Sequence, residues 1–296
     1  MRYLSKMDDV DMVAVADISK DSMASRQEEY GIDGVFTDYR KMLRDVKPDA
    51  VSVCTPNGLH AVASIAASKA GAHVLVEKPM AMTAGEAQKM INAAKSARRK
   101  LVIGFQYRYD AKTKFIKDAV DAGRMGKVVY GRIQALRRRG IPNWGVFGRK
   151  DLQGGGPLID IGVHALEMTH FVMGSPKPVA ASGSTFTYLG DRKSDVVSQW
   201  PNWDHKTYTV EDLAVGQIRF ANGATLHIES SFVAHIENGK FGFTLMGERG
   251  GASLDPPGIF CDLNDHMVNI RPDWLPSGPE ADAFGIKLRN FVDHVL

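Results

Sequence analysis

A chain of 296 residues with 44% hydrophobic and 24% charged content is long enough for two ordinary domains, each with a sizeable core. Its 37 Lys+Arg against 34 Asp+Glu leave a net charge of +3, short of the basic excess that a phosphate backbone demands, which argues against nucleic acid as a partner. The cysteines, Cys54 and Cys261, suffice for neither a disulfide framework nor a zinc site, and no run reaches the ~18 apolar residues of a membrane helix, so a reducing, cytoplasmic setting without a metal or a membrane partner is expected.

Met1 to Met7 reads as the tail of a crossover helix. Met12 to Ala16 is a short β-branched apolar run that stops at Asp17, and Ala50 to Cys54, Val74 to Val76 and Leu101 to Ile103 repeat the pattern. Such runs read as buried parallel strands. Between them, Ser19–Tyr30, Tyr39–Asp45, Gly58–Ala70 and Thr83–Ala97 carry good helix formers, with Asn57 and Thr83 placed as N-caps. Strand and helix in series predict an α/β fold with a Rossmann-type doubly wound parallel sheet over residues 1–103.

From residue 104 onward the pattern changes. Val128–Leu136, Val215–Phe220, Thr225–Phe232 and Phe241–Met246 alternate and are joined by Gly, Pro and Asn, which predicts an α+β domain over 104–296 with a large, mainly antiparallel sheet. Within it, Pro157–Met173 reads as an apolar helix entered through Gly154-Gly155-Gly156, and Ser194–Lys206 as a polar, Trp-bearing loop. Ala283–Leu296 reads as an amphipathic helix.

Asp17 stands where a dinucleotide-binding fold places the carboxylate that accepts from the adenosine ribose hydroxyls, although an Asp ending a strand is more often a turn or cap residue without a ligand. The glycine-rich turn that normally lies upstream is not among the sixteen residues before Asp17. The expectation is therefore that the first strand, its phosphate-binding turn and part of the C-terminus lie outside this sequence, leaving a gap in the parallel sheet. Cys54-Thr55-Pro56-Asn57 and Glu77-Lys78-Pro79 follow two of the strands, at the sheet edge where open α/β folds bind ligands. Asp160 and His164 lie four apart, so a helix puts them on one face, as either a proton-transfer unit or a core histidine beside an acid.

Thr55-Pro56-Asn57 with His60, then Glu77-Lys78-Pro79, then Gly104-Phe105-Gln106-Tyr107-Arg108 at these separations resemble the Gfo/Idh/MocA family of oxidoreductases, over nearly the whole chain. That resemblance implies NAD, with NADP possible, as cofactor, and Asp17, Cys54, Thr55, Pro56, Asn57, His60, Glu77, Lys78 and Gln106 around it. It implies a catalytic set of Lys78, Asp160 and His164, a cis Lys78–Pro79 bond, and a sugar or cyclitol substrate met by Lys78, Arg108, Trp144, Asp160 and His164. It further implies a homodimer or homotetramer and a last helix that packs back on the first domain. His170 matches no motif and reads as structural. Trp200 and Trp203 are placed where an aromatic loop could close over a sugar, and the runs Arg98-Arg99-Lys100 and Arg137-Arg138-Arg139 read as solvated faces or strand ends, with a role near an anionic cofactor as the lesser alternative. The activity implied is hydride transfer between a secondary alcohol and nicotinamide. A glycosidase using transient oxidation would differ by accumulating no net NADH, and a silent truncated homologue would bind no cofactor.

Overall fold

The computed structural model describes all residues, Met1–Leu296, in two compact units: residues 1–104 with 284–296, and residues 105–283. In the first unit β1 (Ala14–Ala16), α1 (Lys20–Tyr30), β2 (Gly34–Phe36), α2 (Tyr39–Val46), β3 (Ala50–Val53), α3 (Asn57–Lys69), β4 (His73–Val76), α4 (Ala84–Ala97) and β5 (Leu101–Ile103) alternate as strand and helix. Every strand pair is parallel, but the strands form two ladders, β1-β2 and β3-β4-β5, with no ladder joining them. Strand β2 escapes the sequence pattern because Gly34-Val35-Phe36 is too short to show a period. Met1–Met7 contains only a single 3-10 turn, Leu4–Lys6, in place of the expected helix tail.

The caps are only partly as expected. Thr83 accepts from the Glu86 amide and Glu86 bonds back to the Thr83 amide, a full capping box. At α3 the cap position is Pro56, without a side-chain bond, and Asn57 is the first helical residue; the fixed backbone of Pro56 sets the helix entry instead. The core under the sheet is Val53, Ala67, Val74, Val76 and Met90. The C-terminal helix Ala283–Val295 is counted with this unit from Phe284 onward. Its Lys287, 3% exposed, donates from Nζ to Glu77 Oε1 at 2.7 Å and to the Gly104 carbonyl at 3.4 Å. Arg289 pairs with Asp9 in the same unit.

The second unit holds α5 (Ala111–Asp121), β6 (Val128–Leu136), α6 (Lys150–Gln153), α7 (Val163–Val172), β7 (Pro178–Phe186), β8 (Leu213–Phe220), β9 (Thr225–Ser231), β10 (Lys240–Gly247), β11 (Gly250–Ser253), β12 (Gly258–Leu263) and β13 (His266–Ile270). The strands form one eight-stranded sheet, ordered β13-β12-β11-β10-β6-β9-β8-β7, antiparallel except for the parallel pair β6-β9. Strand β7 and the ribbon β11 to β13 were not legible as strands. Pro178–Phe186 is built of small and polar residues that are mostly exposed, so it has no apolar alternation to read. Helices α5 and α7 cover one face, burying Ile116, Ala165, Met168 and Val172 against Ile133, Leu226, Ile228 and Leu245. Apart from Ala165, these side chains each contribute ~1.5–3 kcal/mol on burial.

Candidate active site

In the first unit the motif residues gather at the carboxyl ends of the strands. Asp17 follows β1 with its Oδ1 accepting from the Ser19 amide at 2.8 Å, and Ser19 in turn caps α1. Cys54 is exposed after β3, its Sγ 3.5 Å from Ser52 Oγ. The Thr55 hydroxyl oxygen is buried with no hydrogen-bond partner, an orphaned polar atom of the kind that a ligand group completes. Glu77, Lys78 and Pro79 follow β4, and the Lys78–Pro79 bond is cis.

His60 corrects the expectation of a cofactor contact. It is 1% exposed, with Nδ1 2.7 Å from the Pro79 carbonyl and Nε2 2.8 Å from the Thr55 carbonyl. Carbonyls only accept, and a neutral imidazole carries one N–H, so the ring donates to one of these carbonyls and packs its other nitrogen against the second. His60 thus braces the loops after β3 and β4, and any influence on a ligand passes through those loops. Glu77 is likewise held from behind by Lys287. A Cβ on Gly104 would lie 2.9 Å from the Glu77 carboxylate oxygens, which explains glycine at that position.

In the second unit the expected helix Pro157–Met173 is two elements. Leu158–Gly162 is a π turn and only Val163–Val172 is α-helix. Such a turn changes how side chains project and often marks a functional site; here it carries Asp160 just before His164. The glycines permit its tight seating. A Cβ on Gly162 would come 2.8 Å from Ser230 Oγ, and one on Gly156 would come 2.0 Å from the Glu211 carbonyl oxygen.

Glu211, which sequence reasoning missed, holds the entrance. Its carboxylate accepts from the Gly156 amide at 2.9 Å and the Leu158 amide at 3.4 Å, replacing the side-chain cap that Pro157 cannot supply. Only its carboxylate type and its place after a loop could have hinted at this, because the pairing spans more than fifty residues. Next to it Asp212, 0% exposed, accepts three amides from Tyr188, Leu189 and Gly190. Trp203 donates from Nε1 to the Gly190 carbonyl at 2.8 Å and is buried. That corrects the reading of Trp203 as a lid: it is a structural post. Glu211→Ala is expected to cost about 1–2 kcal/mol, the scale of a lost helix cap, and Gly156→Ala about 3 kcal/mol through forced backbone displacement. Urea unfolding of the two variants checks both values and their order.

Asp160 and His164 line a cavity of about 670 Å³ together with Tyr107, Arg137, Arg138, Arg139, Gln199, Trp200, Lys240, Phe241 and Asp255. The His164 ring meets Tyr107 edge-on at 5.2 Å and Phe105 at 6.4 Å, and Tyr107 tilts against Phe241 at 5.0 Å. Burial pushes the Tyr107 hydroxyl pKa up. It also disfavours the Arg137 charge, which the nearby Asp160 carboxylate supports. Arg137 lies over the Trp200 ring, 4.9 Å from its centroid.

Arg108, expected at the substrate, is committed elsewhere: its guanidinium pairs with Glu167 and covers the Phe171 ring at 4.8 Å. Burial raises the Glu167 carboxyl and Arg108 opposes that shift. Trp144 is 49% exposed and packs edge-on against Trp200 at 4.7 Å, so Trp200 forms the wall and Trp144 backs it. Gln106 is buried in the second unit with Oε1 lacking a partner. His170 bonds from Nε2 to the Pro176 carbonyl at 2.8 Å and stacks on Phe220, a structural role as read from the sequence.

The first unit is a parallel α/β fold of the nucleotide-binding type, and the second carries an acid and an imidazole in a sheet-backed cavity. Residues 1–105 match the family model for the oxidoreductase family with an NAD-binding Rossmann fold, and residues 113–253 match the GFO/IDH/MocA C-terminal domain. The chain belongs to the Gfo/Idh/MocA family. It is 38% identical over 269 residues to the D-glucoside 3-dehydrogenase of Escherichia coli (strain K12), covering 90% of this chain and 76% of that one. To the myo-inositol 2-dehydrogenase of Thermotoga maritima it is 30% identical over 229 residues, covering 77% of this chain and 63% of that one. Among solved structures, the aldose-aldose oxidoreductase from Caulobacter crescentus complexed with glycerol matches with a TM-score of 0.79 at 25% identity, covering 100% of this chain and 84% of that one. No helix is long and apolar enough to cross a membrane.

Proposed function

We propose that the protein oxidises a secondary alcohol of a sugar, sugar derivative or cyclitol with NAD, the single observation behind this being that Asp160 and His164 share the wall of one cavity. The first unit fits such a cofactor: Asp17 presents a carboxylate for ribose hydroxyls, and the orphaned Thr55 hydroxyl, with Pro56 and Asn57, offers polar groups at the sheet's carboxyl edge. When bound, the nicotinamide supplies the hydride acceptor. His164 takes the proton of the reacting hydroxyl, so that the alkoxide forms as the carbon gives up its hydride. Asp160 accepts from a neighbouring hydroxyl and fixes which carbon reacts. Lys78 donates to the developing alkoxide, a charge-assisted bond stronger in the transition state than in the ground state.

Asp17 favours NAD, because its carboxylate repels a phosphate on the ribose. Asp17→Ser is expected to weaken NAD binding by about tenfold, the worth of one good hydrogen bond to a charged group, and to narrow the preference over NADP. Parallel calorimetric titrations of the two cofactors check this; an unchanged NAD affinity would remove Asp17 from the site. The broad sheet carries exposed apolar residues, including Val179, Phe186 and Met246, which supports self-association as a dimer or tetramer through that surface. Sedimentation decides that point.

A further inference from the structure

The cavity around Asp160 and His164 carries more basic than acidic side chains. Arg137, Arg138, Arg139 and Lys240 line it, against Asp160 and Asp255. Asp255 is already matched by Lys112, whose Nζ lies 3.0 Å from its Oδ1. The arginines, by contrast, spend donors on main-chain carbonyls. Arg137 Nη1 donates to the Gly140 oxygen at 2.9 Å and Arg138 Nη1 to the Glu237 oxygen at 3.0 Å. A carbonyl satisfies a donor without cancelling the charge. Arg139 is further from balance, since its Nη1 is buried with no hydrogen-bond partner. A buried, unmatched guanidinium donor costs stability unless something completes it.

We infer that this cavity takes a carbohydrate bearing a carboxylate or a phosphate, with Arg139 as the anchor for the anionic group and Arg137, Arg138 and Lys240 supplying its field. The inference deepens the dehydrogenase reading and rests on it. A guanidinium fork matches either oxyanion in two-point geometry. Arg137, stacked on Trp200, is held in place beside Asp160, so the same residues can grip the charged end while the acid and the imidazole meet the hydroxyls. The run Arg137-Arg138-Arg139 thereby becomes a specificity element in place of a solvated strand end.

The test is calorimetric binding of D-glucuronate, D-glucose phosphate and D-glucose to the protein, to Arg139→Gln and to Lys240→Gln, at low and raised salt, with folding of each variant checked by circular dichroism. The expected result is that at least one anionic sugar binds about 10- to 100-fold tighter than glucose, the worth of a charge-assisted bond. The advantage should shrink with salt and fall to within a few-fold in Arg139→Gln, with Lys240→Gln in between. Whichever of glucuronate and glucose phosphate is favoured identifies the group. Equal affinity for all three, or an anion advantage unchanged in both variants, overturns the inference. Turnover with NAD is read separately: if no sugar is oxidised the dehydrogenase reading fails, while the affinity ratios still decide the charge question.

Discussion

His164→Asn is expected to lower kcat for sugar oxidation by about 10²–10⁴-fold while leaving NAD affinity where it was. Removing a positioned general base costs that range, and asparagine keeps the polarity and approximate size of the ring without accepting the proton. The site explains why the loss should be steep. The imidazole sits edge-on to Tyr107 and Phe105, whose rings restrict its orientation. Asp160→Asn should act differently, raising KM along with its fall in kcat, because it binds a hydroxyl that does not react. Steady-state kinetics of the two variants separate the roles; equal kcat for wild type and His164→Asn would contradict the assignment.

Lys287→Met is expected to lower stability by about 3 kcal/mol, the lower end for breaking a buried pair because Glu77 keeps some exposure. For a unit of this size that is roughly 10–15 °C in Tm. The ammonium is enclosed by Glu77, the Gly104 carbonyl and the Phe284 ring. Without it the Glu77 carboxylate remains pressed against Gly104 with its charge unmatched. The double variant Glu77→Gln with Lys287→Met should recover a large part of the loss, since it removes both charges. Thermal unfolding of the three variants checks this. A single variant as stable as wild type, or a double variant that melts lower than both singles, would show that the pair is not what holds the loop carrying Lys78.

What could be read from the sequence and what could not divides along the range of the interactions. Val74-Leu75-Val76 and Met12 to Ala16 announce buried strands because both faces of a parallel sheet are covered, and Thr83 announces its helix because its partner Glu86 is three residues away. Asp160 and His164 were legible as a pair from their spacing. The π turn beneath them was not, because it depends on Glu211 and on the close approach of Ser230 to Gly162, both distant in sequence. Lys287 was invisible for the same reason: a lysine on an amphipathic helix looks like any solvent-facing charge until the fold buries it on Glu77. Arg108 and His60 show the converse. Each stands in a motif and was read as a ligand contact, yet Glu167 and two backbone carbonyls claim them. A motif locates a residue at the site without saying which way it faces.

The most direct test of the account is net formation of NADH when the protein is incubated with NAD and a panel of neutral and anionic sugars and cyclitols, read by nicotinamide fluorescence alongside quantification of the ketosugar. NADH and ketone are expected in equal amounts with at least one carbohydrate, with loss of both in His164→Asn. Cofactor binding without NADH from any member of the panel, or NADH formation that survives His164→Asn unchanged, would contradict it.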